Sequence, residues 1–344
     1  MLRIICFSIF AALFVFAPAT VHAQQNRRER AELAVTDLTQ VDGDFHYQGE
    51  YAGRVRGRFG EGPVGLQVVA LGGGRFQAME YRGGLPGQGW DRRTRESYTG
   101  VIDGDFLRLS APGRNVTIQI GRVVIRDLNG RQLGVLDKVR RSSPTLGALP
   151  PRGATVLFNG TSTEHFTNAK ITEDGLLMPG TMTSKPYRDF RLHVEFRTPY
   201  MPFAREQGRG NSGVYIQERY EVQILDSFGL TGEFNECGGL YRFKAPDLNM
   251  CLPPLIWQTY DIYFRAARFD GSGQKIANAV ITAMLNGVGV QNNVQLQNKT
   301  GGGKQEGPDD RPILLQNHRN PVHFRNIWIV DYSPGARATT VAAR

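Results

Sequence analysis

Segments with strand-like alternation, broken at short intervals by glycine, most limit the folds open to this chain. Glycine makes up 41 of 344 residues and has no collagen period. That excess favours many tight turns, hence a β-rich protein. No stretch sustains a helical period. Residues 46–55, 64–71, 75–83, 106–111, 115–121, 123–130 and 134–139 alternate or carry β-branched runs between turn residues. Asn129-Gly130 is a hairpin signal. These segments predict a small all-β unit over 45–140. Residues 141–153 (RSSPTLGALPPRG) read as a linker. Residues 154–332 predict a larger β domain with longer strands, consistent with a jelly-roll sandwich. Residues 333–344 read as a disordered tail.

The first residues set the expected compartment. Arg3 precedes an apolar run, Ile4–Ala19, and Val21-His22-Ala23 is a small-x-small cleavage signal. Residues 1–23 therefore predict a removable export signal, with 24–44 a mobile leader. The run is too short for a membrane span, so no stable span is expected after cleavage. The mature protein would be periplasmic or extracellular. Cleavage removes Cys6 and leaves Cys237 and Cys251, an even pair that predicts a disulfide in an exported chain.

A net charge of +9 raises the question of nucleic acid. Residues 27–141 hold 19 basic against 14 acidic side chains, and residues 152–331 hold 19 against 18. Only 7 of the 41 basic residues are Lys, and no dense run occurs. Such a diffuse Arg excess does not form a nucleic-acid footprint, so no nucleic-acid partner is expected.

Strand parity sorts the polar residues of the larger domain, because i and i+2 share a face. Leu192, Val194 and Phe196 oppose Arg191, His193, Glu195 and Arg197. Val222 and Ile224 oppose Glu221 and Gln223, and Val214 and Ile216 oppose Tyr215. Gln316 and His318 share a face near the end of the chain. These polar sets are rich in His, Gln, Tyr and Arg rather than Lys, which favours a shared cleft over a plain solvated face.

Eight segments in register carry a resemblance: LFNGTS (157–162), RDFRLHVEFR (188–197), GNSGVYIQ (210–217), YEVQILDS (220–227), GGLY (238–241), WQTYDI (257–262), LNGV (285–288) and ILLQNHRNPVHFRNI (313–327). Over about 155–331 the chain resembles the DUF1080 family, the 3-keto-disaccharide hydrolase domain. The resemblance implies a concanavalin-like jelly roll that cleaves 3-keto-glycosides, an oxidised sugar substrate, by β-elimination and hydration. Residues 45–140 resemble an accessory region of unassigned function. Two departures stand out: Phe196-Arg197 where the family often has Trp-Arg, and His318-Arg319 where it often has His-Gly.

That chemistry needs a base near neutral pKa, an acid, and donors for an enolate oxygen. His318 and His193 are candidates for proton transfer, and Glu221 and Glu195 for acid or base. Arg197 and Arg325 are candidates for the enolate oxygen. Asn211, Ser212, Gln223 and Gln316 could bind hydroxyls, and Tyr215 and Tyr241 could stack on a sugar. Asp226 reads as a turn cap. A hard divalent cation such as Ca²⁺ on Glu221, Glu195 and His318 is a further candidate, although no compact metal motif occurs. Two other readings of the same residues remain: a sugar-binding protein without catalysis, and a conventional glycosidase. Gln223 stands where the latter would want a second acid.

Overall fold

A computed structural model describes residues 29–57 and 60–333. The expected export signal, the first leader residues and the tail beyond 333 lie outside these. Eight strands come first: β1 (Gly49–Gly57), β2 (Gly60–Ala70), β3 (Arg75–Arg82), β4 (Arg95–Asp103), β5 (Phe106–Ala111), β6 (Arg114–Gln119), β7 (Arg122–Asp127) and β8 (Gln132–Val139). Each pairs antiparallel with the next, and β8 returns to β1, closing a barrel. Closure removes both sheet edges, and eight strands leave an interior that side chains can fill. Tyr51, Leu66, Val68, Phe76, Ala78, Tyr98, Leu107, Ile118, Val123 and Leu136 fill it and are buried. The closing seam depends on glycine: a Cβ on Gly53 would collide with the Val135 carbonyl, and one on Gly134 with the Arg54 carbonyl.

The second unit is a sandwich. Its strands are β9 (Thr155–Phe158), β10 (Phe166–Thr167), β11 (Thr181–Thr183), β12 (Asp189–Arg197), β13 (Ser212–Ile216), β14 (Tyr220–Ile224), β15 (Gln258–Arg265), β16 (Arg268–Phe269), β17 (Lys275–Ala277), β18 (Ala279–Leu285), β19 (Val288–Leu296), β20 (Leu314–Leu315) and β21 (His323–Asp331). One sheet runs β10-β11-β20-β13-β14, and the other β19-β18-β15-β12-β21-β9. A two-stranded ribbon, β16-β17, stands apart. Between the sheets lies one apolar core containing Leu192, Val194, Phe196, Val214, Ile216, Val222, Tyr260, Ile262 and Ile329. This is the all-β, jelly-roll-type sandwich behind a smaller β unit that the sequence predicts.

The segments expected to be loose are tied down. Val35 bridges Tyr200 through two backbone hydrogen bonds (3.0 and 2.8 Å), and the Tyr200 hydroxyl donates to Asp42 (2.8 Å). From Val35 onward the leader is thus docked rather than mobile. Val69, on the outside of the barrel, packs into the sandwich core. Arg141 joins Glu50 on β1 and donates to the Pro86 carbonyl at 2.7 Å.

The expected disulfide is not formed. Cys237 and Cys251 are free and buried. The Cys237 thiol meets the Tyr260 hydroxyl at 3.4 Å, and the Cys251 thiol meets the Leu225 carbonyl at 3.5 Å. An apolar core holds these sulfurs as small hydrophobes, which residue spacing alone cannot distinguish from a bridge. A chain lacking its first 23 residues should show two titratable thiols with Ellman's reagent in denaturant and almost none when folded. No thiol signal in denaturant without reductant would contradict this arrangement.

Candidate functional site

The outward face of the five-stranded sheet gathers most of the amide and phenol candidates. In the β13–β14 register Tyr215 faces Glu221, and Gly213 faces Gln223. Alternation sends Val214, Ile216, Val222 and Ile224 inward and leaves Tyr215, Glu221 and Gln223 outward. Glu221 lies flat across Gly213, where a Cβ would strike its carboxyl. This explains a glycine inside a strand. The Glu221 backbone is clamped from both sides: its N–H donates to Thr300 Oγ1 (2.8 Å), and its carbonyl accepts from Tyr241 N (3.1 Å).

The electrostatics of Glu221 are unusual. It is only 2% exposed, and among the described residues no cation pairs with it and its Oε2 has no hydrogen-bond partner. Burial pushes its carboxyl up to about 7, partly offset by the adjacent Tyr215 phenol. Burial, with the Glu221 charge close by, raises the Tyr215 phenol and keeps it protonated. With its amide nitrogen turned to the carboxyl, Gln223 donates to Glu221 Oε1 (3.1 Å) and the Ser212 carbonyl (2.8 Å). Gly302 packs close to the Tyr215 hydroxyl, into which a Cβ there would run. Tyr241 packs beside Gly301 in the same loop.

An amide network extends the face along the strands. Asn211 Nδ2 donates to the Gln207 carbonyl (2.7 Å), and Asn211 N donates to Asn320 Oδ1 (2.7 Å). Gln316 N donates to the Gly213 carbonyl at 2.9 Å, which sets Gln316 beside this row. Ser212 does not belong to the set. It points inward, and its hydroxyl donates to the Gln316 carbonyl (2.7 Å). His318 is exposed and lines an open groove of about 880 Å³, beyond Gln316 on the same side. Asp226 receives Arg209 Nε at 2.7 Å in a buried ion pair as well as capping its turn.

The remaining candidates lie on the other sheet. His193, Glu195, Arg197 and Arg325 are on the outer face of β12 and β21, and residues 143–148 cross that face as a strap. His193 Nδ1 meets Asp261 Oδ1 at 3.0 Å, and its Nε2 lies 3.7 Å from Glu195 Oε1. Its ring stacks on Trp328, with centroids 5.0 Å apart. Thr145 Oγ1 donates to Asp261 (2.8 Å), and Gly147 N donates to Glu195 (2.5 Å). Trp328 Nε1 and Asn326 Nδ2 donate to the Ala148 carbonyl at 3.0 and 3.1 Å. Arg325 Nε binds Glu195 Oε2 at 2.7 Å, and Arg325 and Arg197 both stack on Trp257. These side chains fasten the connection between the two units and do not meet Glu221.

The three candidate cation ligands accordingly fall apart, because Glu195 is on the opposite sheet from Glu221 and His318. Among the described residues no cluster of three or more His, Cys, Asp and Glu side chains could hold a metal. The chain does not fit the expected cation site. Gln207, Gly213, Thr300, Gly302 and Asn320 escaped the sequence reading. A glycine inside the alternating GVYI segment was the one usable signal.

A family model described as the 3-keto-alpha-glucoside-1,2-lyase-like domain matches residues 153–330, the whole sandwich. No curated protein matches the chain. Among solved structures it is similar to a putative glycosyl hydrolase from Parabacteroides distasonis ATCC 8503, with 28% identity and a TM-score of 0.47, covering 52% of this chain and 84% of that one. A second putative glycosyl hydrolase from that organism shares 19% identity at a TM-score of 0.39, covering 53% of this chain and 95% of that one.

The strap has a pH signature. Burial pulls His193 down, but Asp261 and Glu195 more than compensate and hold it above its ordinary 6.5. Burial likewise opposes Glu195, but hydrogen bonds from His193, Asn326, Gly147 and Arg325 bring it to about 2. Asp261 is also held below its ordinary 3.8 against burial, first by His193. A raised histidine stabilises below its unfolded pKa and loses that contribution as pH rises through the folded value. Lowered carboxylates stabilise above their unfolded pKa and lose that as pH falls. The clamp is therefore strongest between about 4.5 and 6.5. Melting curves across pH should show His193→Ala lowering Tm by about 5–10 °C near pH 6, since it removes the partner that two buried carboxylates share. An unchanged Tm there would contradict the clamp.

Proposed function

The chain belongs to the 3-keto-alpha-glucoside-1,2-lyase-like family, a carbohydrate-active family, and from that premise we propose that it cleaves 3-keto-glycosides with Glu221 as the base. A ketone at C3 acidifies the C2 proton. The Glu221 carboxylate takes that proton, leaving an enolate whose negative charge rests on the C3 oxygen. The C1–O bond then breaks, and the departing oxygen takes up a proton. Water adds across the resulting C1=C2 bond, hydroxyl to C1 and proton to C2, so the net change is hydrolysis.

The observation carrying this reading is the unpaired, buried Glu221 carboxyl, poised at about 7 with one oxygen unpartnered among the described residues. A base at that value is ionised over a useful range and still strong enough to abstract an activated C–H. Tyr215, protonated beside it, is the donor available to the enolate or the departing oxygen. Gln223, Gln316, Asn211 and Tyr241 supply contacts to sugar hydroxyls. Arg325, paired with Glu195, and Arg197, stacked on Trp257, lie on the other sheet and take no part. The apolar N-terminal run supports an exported enzyme meeting an oxidised sugar outside the cytoplasm.

Glu221→Gln keeps the shape and removes the base, so kcat on a 3-keto-glucoside should fall about 10²–10⁴-fold with the fold intact. The burial-raised carboxyl makes wild-type kcat/KM climb as pH rises through about 7, then level off. Equal turnover of the unoxidised glycoside would rule out the elimination. Sugar binding with no turnover of any keto-glycoside would leave a binding protein instead.

A further inference from the structure

We infer that the groove beside His318 is the subsite for the leaving group, and that residues ahead of the barrel form one of its walls. The inference rests on the reaction proposed above, with the keto sugar over Glu221. The groove, about 880 Å³, is lined by Glu32, Met201, Arg205, Asn317, His318 and Asn320, among others.

Its position follows from the sheet. Tyr215 is paired with both Glu221 and Leu314. β20 ends at Leu315; Gln316 N still bonds the Gly213 carbonyl, and His318 follows two residues on, outside the strand. Four residues of extended chain span at most about 13 Å, and two strand spacings about 10 Å. A glycosyl unit above Glu221 thus leaves room for its C1 substituent to extend toward the groove. Gln207 connects the two places: with the Gln223 nitrogen turned to Glu221, the Gln223 side-chain oxygen faces the Gln207 side-chain amide at 3.0 Å, and the neighbouring Gly208 lines the groove.

The lining suits a neutral, hydroxylated group with an apolar face. Glu32, Arg205, His318 and the two amides supply donors and acceptors, and Met201 supplies a nonpolar surface. The walls are braced. Asn317 Oδ1 accepts from Arg319 N (2.9 Å), and Asn320 Oδ1 accepts from Asn211 N (2.7 Å). Arg205 donates to the Pro202 and Ala204 carbonyls and, at 2.7 Å, to the Leu71 carbonyl of the barrel. The Val35–Tyr200 bridge holds the segment bearing Glu32 against the same loop. The N-terminal unit therefore acts as a specificity element for the C1 substituent, most simply a second sugar.

Gly208 permits a direct test, because a Cβ there would meet nothing within 4 Å. With G208W, KM for a 3-keto-disaccharide should rise at least about tenfold, while kcat/KM for methyl 3-keto-glucoside stays within about twofold. E32W, at an exposed position, should shift the same pair of constants in the same direction and serves if G208W fails to fold. Equal losses on both substrates, or no change on either, would overturn the subsite. If wild type turns over neither substrate, the reaction is wrong, and calorimetric titration with the unoxidised disaccharide reads the groove alone. Loss of the binding heat in G208W supports the subsite, and undiminished heat overturns it.

Discussion

A charge taken out of water needs a partner, and the sandwich meets this requirement in opposite ways on its two faces. On the six-stranded sheet His193 sits between Asp261 and Glu195, Arg325 completes the set, and a strap of chain covers it. Every charge there has a counter-charge, so the cluster is a fastening. On the five-stranded sheet Glu221 has, among the described residues, no paired cation and one oxygen without a hydrogen-bond partner. Its cost is offset by neutralisation near pH 7 rather than by pairing, which makes it a group able to exchange protons.

The two faces depend on each other through the chain path. Because 143–148 crosses the six-stranded sheet, the barrel is held beside the sandwich, where Val69 enters its core. In that position the β2–β3 turn supports the loop carrying Arg205 and Phe203, with Gly72 tight against the Phe203 ring. A fastening on one sheet thus helps to shape the approach to the other. On the proposed subsite, the unit that carries no candidate base would bear on which substrates reach it.

Much of the architecture was readable because period-2 alternation and glycine punctuation are local signals. Val214, Val222, Leu192 and Val194 all point inward as parity requires. The barrel's closure was not readable, since nothing in β1 or β8 alone announces their pairing. For the site, parity correctly set Glu221, Tyr215 and Gln223 on one face. It could not tell which outer faces share a compartment. His193 and Glu195 lie on a polar face too, but the two sheets of a sandwich turn their outer faces apart. Pooling the two sets joined Glu195 to Glu221 and His318 in one cation site, and set Arg197 and Arg325 beside Glu221, although the fold puts Glu195 and both arginines on the opposite sheet. Ser212 failed for a simpler reason: its hydroxyl satisfies a strand carbonyl in the core. The thiols failed because an even cysteine count fits free buried residues as well as a bridge.

The central claim is that Glu221 is a desolvated, unpaired carboxyl able to move a proton near neutral pH. Carbon-13 NMR of the side-chain carboxyls, titrated in wild type and Glu221→Gln, tests it most directly. The account predicts one resonance with a midpoint near 7, absent from the variant and perturbed by a 3-keto sugar. A Glu221 resonance titrating in the ordinary carboxylate range, indifferent to the sugar, would contradict it.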